Sequence, residues 1–487
     1  MIGEYKKKVV KGMMWSSFQK FGTIIISFVS NIILARLLSP DDYGCIGLLA
    51  IFITLSSTFI NGGFGSALIQ KKNPTEADYS TIFYFNVLVS ILLYFLLYFT
   101  APAIAQFYKI DLLTKVLRVE GLVVIINSLI IVQENRLRKN LQFRKLSVAY
   151  LVPATVSAGI TIYLAYIGWG VWALVSQRLI MASITALMLW FLSEWKPKLL
   201  FSLTSLKELF SFGFFVLLAD IINTIGNNIQ GILIGRVYNA STMGYYSQAH
   251  KLDQIASTSI SSIINQVSYP VLSEVQNDHS AMVRIMSRFN SVLAYITFPV
   301  MLLLILLAKP IIIIVYSAKW LDSVPYFQIL CLAGIATCLQ GINYYAVAAV
   351  GKSRMLMWWT VAKRIVGVIL IVVGLFLFGM TGLLVGMVLS SYFIYLVNSY
   401  LVDRNIGYSF KQQIRDISPI IAVSVFSFVA SYLSTAFIDM SVYLEGCIRF
   451  VAFVIPFVFI SALFKMDSYL EFRGIVTNII KKRKGKR

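Results

Sequence analysis

Charged side chains are scarce in this chain: Asp, Glu, Lys and Arg together make up 13% of its 487 residues. A soluble domain carries about 25%, so the chain cannot cover a water-facing surface, and a soluble enzyme or a disordered chain is excluded. Acidic residues are scarcer still, 21 against 42 Lys and Arg, which leaves a net charge of +21. Cysteine occurs four times. Cys45, Cys331, Cys338 and Cys447 fall in or beside apolar runs at spacings that match no metal or redox motif, so they read as small buried hydrophobes and exclude a disulfide scaffold. The two histidines, His250 and His279, are isolated and read as solvated or bland positions. No Walker lysine motif and no catalytic constellation is present. The sequence therefore assigns no catalytic residue, no metal ligand and no cofactor.

Apolar side chains are what the chain has in abundance, 58% of residues with a mean hydropathy of +0.79. They come in runs of about 20, the length that crosses a bilayer. The runs predict an all-α integral membrane protein of about fourteen spans: 12–35, 44–66, 80–105, 116–134, 148–167, 170–192, 208–235, 243–271, 288–316, 323–350, 355–378, 381–401, 417–436 and 443–464. The first run follows Lys6, Lys7, Lys8 and Lys11 as a signal peptide would. It is too long for one and lacks a small-residue cleavage site, so it reads as a retained helix.

The charge excess falls on one side. Alternate connections, including both termini, hold roughly 29 Lys and Arg, whereas the opposite set holds about five: Arg36, Lys109, Lys115, Arg236 and Lys319. Cationic loops mark the cytoplasmic side, so both termini are expected in the cytoplasm of a bacterial plasma (inner) membrane. The basic balance is thus a topology signal, facing anionic lipid, and no nucleic-acid partner is expected.

The chain also resembles itself at an offset of 200. Ile-Ile-Leu-Ala-Arg36 meets Ile-Leu-Ile-Gly-Arg236, and Gly44 meets Gly244. Lys20, Thr23, Ser27 and Ser30 align with Asp220, Asn223, Asn227 and Gln230, each set confined to one helix face. Two hundred residues equal six spans, so the reading is a six-helix N-lobe (1–200), a six-helix C-lobe (201–405), and two further helices with a basic tail (406–487). An even repeat keeps both copies in one orientation, with a pseudo-two-fold along the membrane normal. Paired lobes of this kind are a transporter architecture, with substrate bound between lobes that rock about it.

A polar stripe runs along the eighth span: Ser247, Lys251, Gln254, Thr258, Ser261 and Asn265. Its counterpart in the second span, Gly47, Ile51, Thr54, Thr58, Asn61 and Gly65, is smaller and uncharged. Helix–helix adhesion by Ser, Thr and Asn accounts for the second, but not for Lys251 or Asp220. Polar groups in hydrocarbon must be paired or wetted, so Asn223, Asn227, Gln230, Gln254, Thr258 and Asn265 are expected to line a water-filled cavity. Each charge at a span centre costs roughly 2.5–3.5 kcal/mol on insertion scales. Lys20, Arg178, Lys251, Lys363, Arg364 and Arg449 outnumber Asp220 and Asp253, with Arg118 and Glu120 near a span end. Cations that line a cavity imply an anionic ligand; snorkelling to the interface is the alternative for each of them. Asp220 and Asp253 are the candidates for carboxyls that couple transport to H+ or Na+.

The run Asn31-Ile-Ile-Leu-Ala-Arg-Leu-Leu-Ser-Pro-Asp-Asp-Tyr-Gly44 is similar to the first-loop signature of bacterial polysaccharide-repeat flippases of the Wzx type. Phe64-Gly-Ser-Ala-Leu-Ile-Gln-Lys-Lys72 and Met243-Gly-Tyr-Tyr246 resemble the variant associated with exopolysaccharides such as colanic acid. That group belongs to the multidrug/oligosaccharidyl-lipid/polysaccharide exporter superfamily, which also includes O-antigen flippases. The resemblance implies a lipid-linked oligosaccharide as substrate, a repeat unit on undecaprenyl diphosphate that is moved to the outer leaflet, with membrane lipids and other polysaccharide-assembly proteins as partners. It also implies that cavity cations hold the anionic head group. By depth and face that role is carried onto Lys20, Arg178, Lys251, Lys363, Arg364 and Arg449, with Lys251 foremost. Arg36 and Arg236 belong to the repeated loop signature, where they hold the outer ends of their spans or serve an outer gate.

Three other readings stand beside this one. A drug/cation antiporter of the same superfamily should carry acidic lobes and twelve spans. A peptidoglycan-precursor flippase fits the span count, though not the first-loop signature. A membrane polysaccharide polymerase or glycosyltransferase would need large outer loops or acidic metal sites, and the outer connections here are short.

Overall fold

In the computed structural model the described backbone runs from residue 2 to residue 484. The side chains at 2–9, 64, 66, 211–212, 215, 263–267, 353–354, 475–476 and 478–484 fall outside the described set. Asn265, expected on the polar stripe of the eighth span, therefore lies outside the described residues. The described chain is helical throughout and divides into two compact units, 1–244 and 245–487.

The first unit contains α1 (Ile2–Leu37), α2 (Pro40–Asn61), α3 (Phe64–Gln70), α4 (Glu76–Tyr108), α5 (Leu112–Glu120), α6 (Leu122–Ser128), α7 (Ile131–Lys139), α8 (Phe143–Tyr166), α9 (Val171–Ser193) and α10 (Leu203–Val237). The starts follow from local chemistry. Ser39 and Asp42 form a reciprocal capping box at α2 with Pro40 in its first turn, and Thr75 and Asp78 do the same for α4. Polar pairing of the first amides lets an apolar helix begin at the membrane edge.

The span expected at 116–134 is not one helix but three, α5 to α7, interrupted at Gly121 and at Leu129–Ile130. A broken span frees backbone groups that hydrocarbon cannot satisfy. Trp190 on α9 supplies one partner, donating its indole N–H to the Leu129 carbonyl at 2.9 Å. Around that break Tyr79, Phe83, Trp190 and Trp195 pack edge to face, with ring centroids 5.9–6.1 Å apart.

The second unit takes up α11 (Ala240–Glu274) from Tyr245 onward. It continues with α12 (His279–Leu306), α13 (Ala308–Val315), a 3-10 turn at Ala318–Trp320, α14 (Ser323–Ala349), α15 (Ser353–Ile406), α16 (Phe410–Leu433), α17 (Val442–Leu463) and α18 (Asp467–Lys484). The run expected at 288–316 as one span is α12 followed by α13, with the chain bending at Leu307. A straight α15 of 54 residues would be about 81 Å long, more than twice the hydrocarbon thickness. It folds back instead at Phe378 and Gly379, where Gly379 has φ +61° and ψ −141°. The returning halves meet through small residues: a Cβ at Gly374 would overlap the Gly382 carbonyl, and one at Gly382 the Gly374 carbonyl. The sequence reading of separate spans at 355–378 and 381–401 matches this fold-back.

Eleven helices among the described residues are long and apolar enough to cross a membrane, with Met355–Ile406 taken as one stretch. Large apolar side chains such as Phe99, Phe191 and Phe376 are more than 70% exposed, a surface suited to hydrocarbon and not to water. The protein is a multi-pass membrane protein. Of the four cysteines, Cys45, Cys331 and Cys338 are buried as expected. Cys447 is not: it points outward from α17, where an apolar membrane helix can place a small hydrophobe against lipid.

Candidate sites in the membrane-spanning units

In the first unit, α1 and α10 present the aligned polar faces, and the two copies match in burial position by position. Lys20 and Asp220 are exposed, Thr23 and Asn223 half-buried, Ser27 and Asn227 exposed, Ser30 and Gln230 buried. The Gln230 side-chain oxygen has no hydrogen-bond partner among the described residues. Thr58, on the stripe of α2, meets Thr224 of α10 at 3.0 Å between hydroxyls.

The signature loops of the repeat also face each other. Asn239 caps α11 through the Thr242 amide, as Ser39 caps α2 through the Asp42 amide. A Cβ at Gly44 would overlap the Ala240 carbonyl, and a Cβ at Gly244 would overlap the Pro40 carbonyl. Ser241 donates to Asp41 at 2.7 Å. Positions 40, 41 and 44 thus meet 244, 241 and 240, a reciprocal contact between equivalent residues. Arg236, one of the two signature arginines, donates to the Phe107 carbonyl at 3.0 Å and lies over the Phe107 ring. It holds the end of α10 to the end of α4.

Two of the expected cavity cations have carboxylate partners. Arg178 on α9 forms an ion pair with Glu120, whose side chain is fully buried at the α5–α6 break, while the Arg178 side chain stays 39% exposed. Arg449 on α17 pairs with Glu445 one turn earlier at 2.7 Å and donates to Thr435 at 2.9 Å. Arg118 stacks over Tyr98, 4.2 Å from the ring centre. Sequence reasoning missed both acidic partners. Glu445 was legible, since its spacing of four from Arg449 is the helical pairing distance. Glu120 stands 58 positions from Arg178 and only the fold brings them together.

The remaining cations differ in setting. Lys20 is exposed and Arg364 half-buried, and neither has a carboxylate partner among the described residues. Lys363 is 4% exposed and donates to the side-chain oxygen of Asn398 across the α15 fold-back. Lys251 is half-buried on α11, with Gln254 and Thr258 exposed beyond it and the Thr258 hydroxyl donating to the Gln254 carbonyl at 2.6 Å.

The two candidate coupling carboxyls part company. Asp220 is exposed, with no ion pair among the described residues. Asp253 is 7% exposed, and its Oδ1 has no hydrogen-bond partner among the described residues. Gly334 on α14 lies opposite that oxygen, 2.6 Å from where a Cβ would stand. His250, one turn before Asp253, is half-buried: its ring stacks on Tyr246 at 5.6 Å and 9°, and its buried Nδ1 has no hydrogen-bond partner among the described residues.

A buried polar network that sequence reasoning did not find joins α14, α15 and α16. Asn343 donates to Ser399 and to Gln413, each at 3.0 Å, and Gln413 donates to the Tyr408 carbonyl at 3.1 Å. Tyr408 and Ser287 both donate to Asp416. No group of three His, Cys, Asp or Glu able to hold a metal occurs among the described residues.

Many apolar helices, a broken span and charged side chains within the apolar helices define a multi-pass membrane protein. Residues 33–325 match the model of the polysaccharide biosynthesis protein family, and the chain belongs to that family. It is 26% identical to the teichuronic acid biosynthesis protein TuaB of Bacillus subtilis, over 93% of this chain and 95% of that one. It is 23% identical to the lipopolysaccharide biosynthesis protein WzxC of Escherichia coli, over 88% and 87%. Among solved structures it resembles the lipid II flippase MurJ in an inward closed conformation. That match has a TM-score of 0.76 at 16% identity, covering 93% of this chain and 99% of that one, a likeness of fold.

Proposed function

We propose that the protein flips a polyprenyl (undecaprenyl) diphosphate-linked oligosaccharide repeat unit from the inner to the outer leaflet of a bacterial plasma membrane, by alternating access and without covalent chemistry. The carrying observation is the surplus of cations within the spans. Glu120 and Glu445 take up Arg178 and Arg449, which leaves Lys20, Lys363 and Arg364 with no carboxylate partner among the described residues. A diphosphate answers that surplus, because charge-assisted hydrogen bonds to it contribute roughly 1.5–3 kcal/mol each. The exposed amides and hydroxyls of Asn227, Gln254 and Thr258 suit sugar hydroxyls. Lys251 and Arg364 are the foremost head-group ligands, with Lys363, Arg178, Lys20 and Arg449 behind them.

Fourteen crossings follow when α15 is divided at Gly379 and the two long polar helices α10 and α11 are added to the eleven apolar ones. The positive-inside count then puts both termini in the cytoplasm. Of the two carboxyls, Asp253 is the better coupling group, because it is buried on α11 with no ion pair among the described residues, whereas Asp220 is exposed.

The test uses proteoliposomes containing a labelled polyprenyl-diphosphate oligosaccharide, with accessibility followed at the opposite leaflet. Wild type should transfer it, and Lys251→Ala and Arg364→Ala should each slow transfer at least tenfold. Transfer unaffected by both changes would keep the function and remove the site assignment. No transfer by folded wild type that does move a lipid-linked peptidoglycan precursor or a cationic dye would replace the substrate.

A further inference from the structure

The second unit has a groove of about 410 Å³ where α12, α17 and α18 meet, away from the cations assigned above. Its walls are apolar and aromatic: Tyr295 and Pro299 from α12, Phe457 from α17, and Phe472 from α18. Tyr295 packs against Phe457 at 5.1 Å and Phe472 at 5.8 Å, so the aromatic surface is continuous across the three helices. Arg473 and Thr477, both exposed, are the polar members of the lining. Arg288 on α12 is already paired with Glu471 of α18 at 2.6 Å, whereas Arg473 has no ion-pair partner among the described residues. Residues 295–300 lie seven to twelve positions beyond Arg288, so the groove runs roughly 10–18 Å along α12 from that polar belt. One end is cationic and open; the rest is hydrocarbon in character.

We propose that this groove binds one anionic glycerophospholipid, with an acyl chain along the aromatic wall and its phosphate paired with Arg473. Apolar area fixes the chain, and the rim charge selects the head group, since Arg presents a planar fork that matches phosphate geometry. The basic sequence KKRKGKR, which starts at position 481, adds to the attraction for an anionic surface. The bound lipid would seal α18 against α12 and α17.

Intact-protein mass spectrometry of the delipidated full chain in detergent tests this, with phosphatidylglycerol, phosphatidylcholine and undecaprenyl phosphate as probes. Wild type should hold one phosphatidylglycerol about tenfold more tightly than phosphatidylcholine. Arg473→Gln and Arg473→Glu, with unchanged thermal unfolding, should bring the two lipids to parity. Val458→Trp, which fills the groove from α17, should weaken both by about tenfold. Equal retention of the two lipids by wild type, or a preference that survives both Arg473 changes, would overturn the proposal. So would undecaprenyl phosphate displacing phosphatidylglycerol at equal concentration, which would make the groove a seat for the substrate tail.

Discussion

Glu120 shows what a single side chain decides in this protein. A carboxylate with no exposed surface needs its cation, and Arg178 is the partner that the fold supplies. Breaking a fully buried pair costs about 3–5 kcal/mol. The Arg178 side chain is 39% exposed, so Arg178→Ala is expected to cost about 2 kcal/mol, read as a lower unfolding temperature in detergent. Arg178→Gln combined with Glu120→Gln should recover most of that loss, because no charge is then stranded. A double mutant no more stable than Arg178→Ala would separate the pair from stability. The half-exposed guanidinium leaves Arg178 able to serve an anionic ligand as well, whereas Arg449, held by Glu445 and Thr435, has less freedom. The sequence marked both as intramembrane cations but could not tell a clamped one from an open one. That difference depends on Glu120, far away in the chain.

Helices carry their own logic. The α15 fold-back rests on Gly379, whose φ of +61° with ψ of −141° is open to glycine and strained for other residues. Gly379→Ala is expected to cost about 1–3 kcal/mol, whereas Gly159→Ala, at a helical glycine with nothing near its Cβ position, should cost nothing; thermal unfolding compares them. At the start of α12, Asp278 accepts from the amide of Ala281 and caps the helix. That bond, with help from the Ser280 hydroxyl, lowers the Asp278 carboxyl below its ordinary 3.8. The sign follows: its contribution is present at neutral pH and is lost as pH falls through the lowered value, below about 4. Faster amide exchange in the first turn of α12 at pH 3 than at pH 6, corrected for intrinsic rates, should be muted in Asp278→Asn, whose amide oxygen keeps the cap without titrating. Apolar runs at 355–378 and 381–401 placed α15 as two spans, each of bilayer length. Run length could not find the breaks in α5–α7, since apolar residues continue through the second at Leu129–Ile130, where the tertiary partner Trp190 satisfies the freed carbonyl. The Lys363–Asn398 bond follows from the same fold-back, since the two arms that leave Gly379 run back along one another.

The class of molecule was legible from composition: too little charge for water, apolar runs of bilayer length, cations on alternate connections. The offset of 200 was legible as a weak likeness of sequence, and matched burial along α1 and α10 gives it a physical meaning, since equivalent positions meet equivalent surroundings. Gly44 and Gly244 each sit against the main chain of the other copy. Gly44→Ala and Gly244→Ala should therefore lower the unfolding temperature by similar amounts, about 1–3 kcal/mol each. A large effect at one site and none at the other would break the equivalence. Because residue 40 meets 244 while 240 meets 44, the surface is self-complementary, as an isologous dimer interface is. Two separate chains, each bearing one copy of this loop, could join through the same contact. A covalent linker gives that pairing a high effective concentration and frees each half to change alone. The lysine at 20 and the aspartate at 220 put opposite charges at matching positions of the two faces.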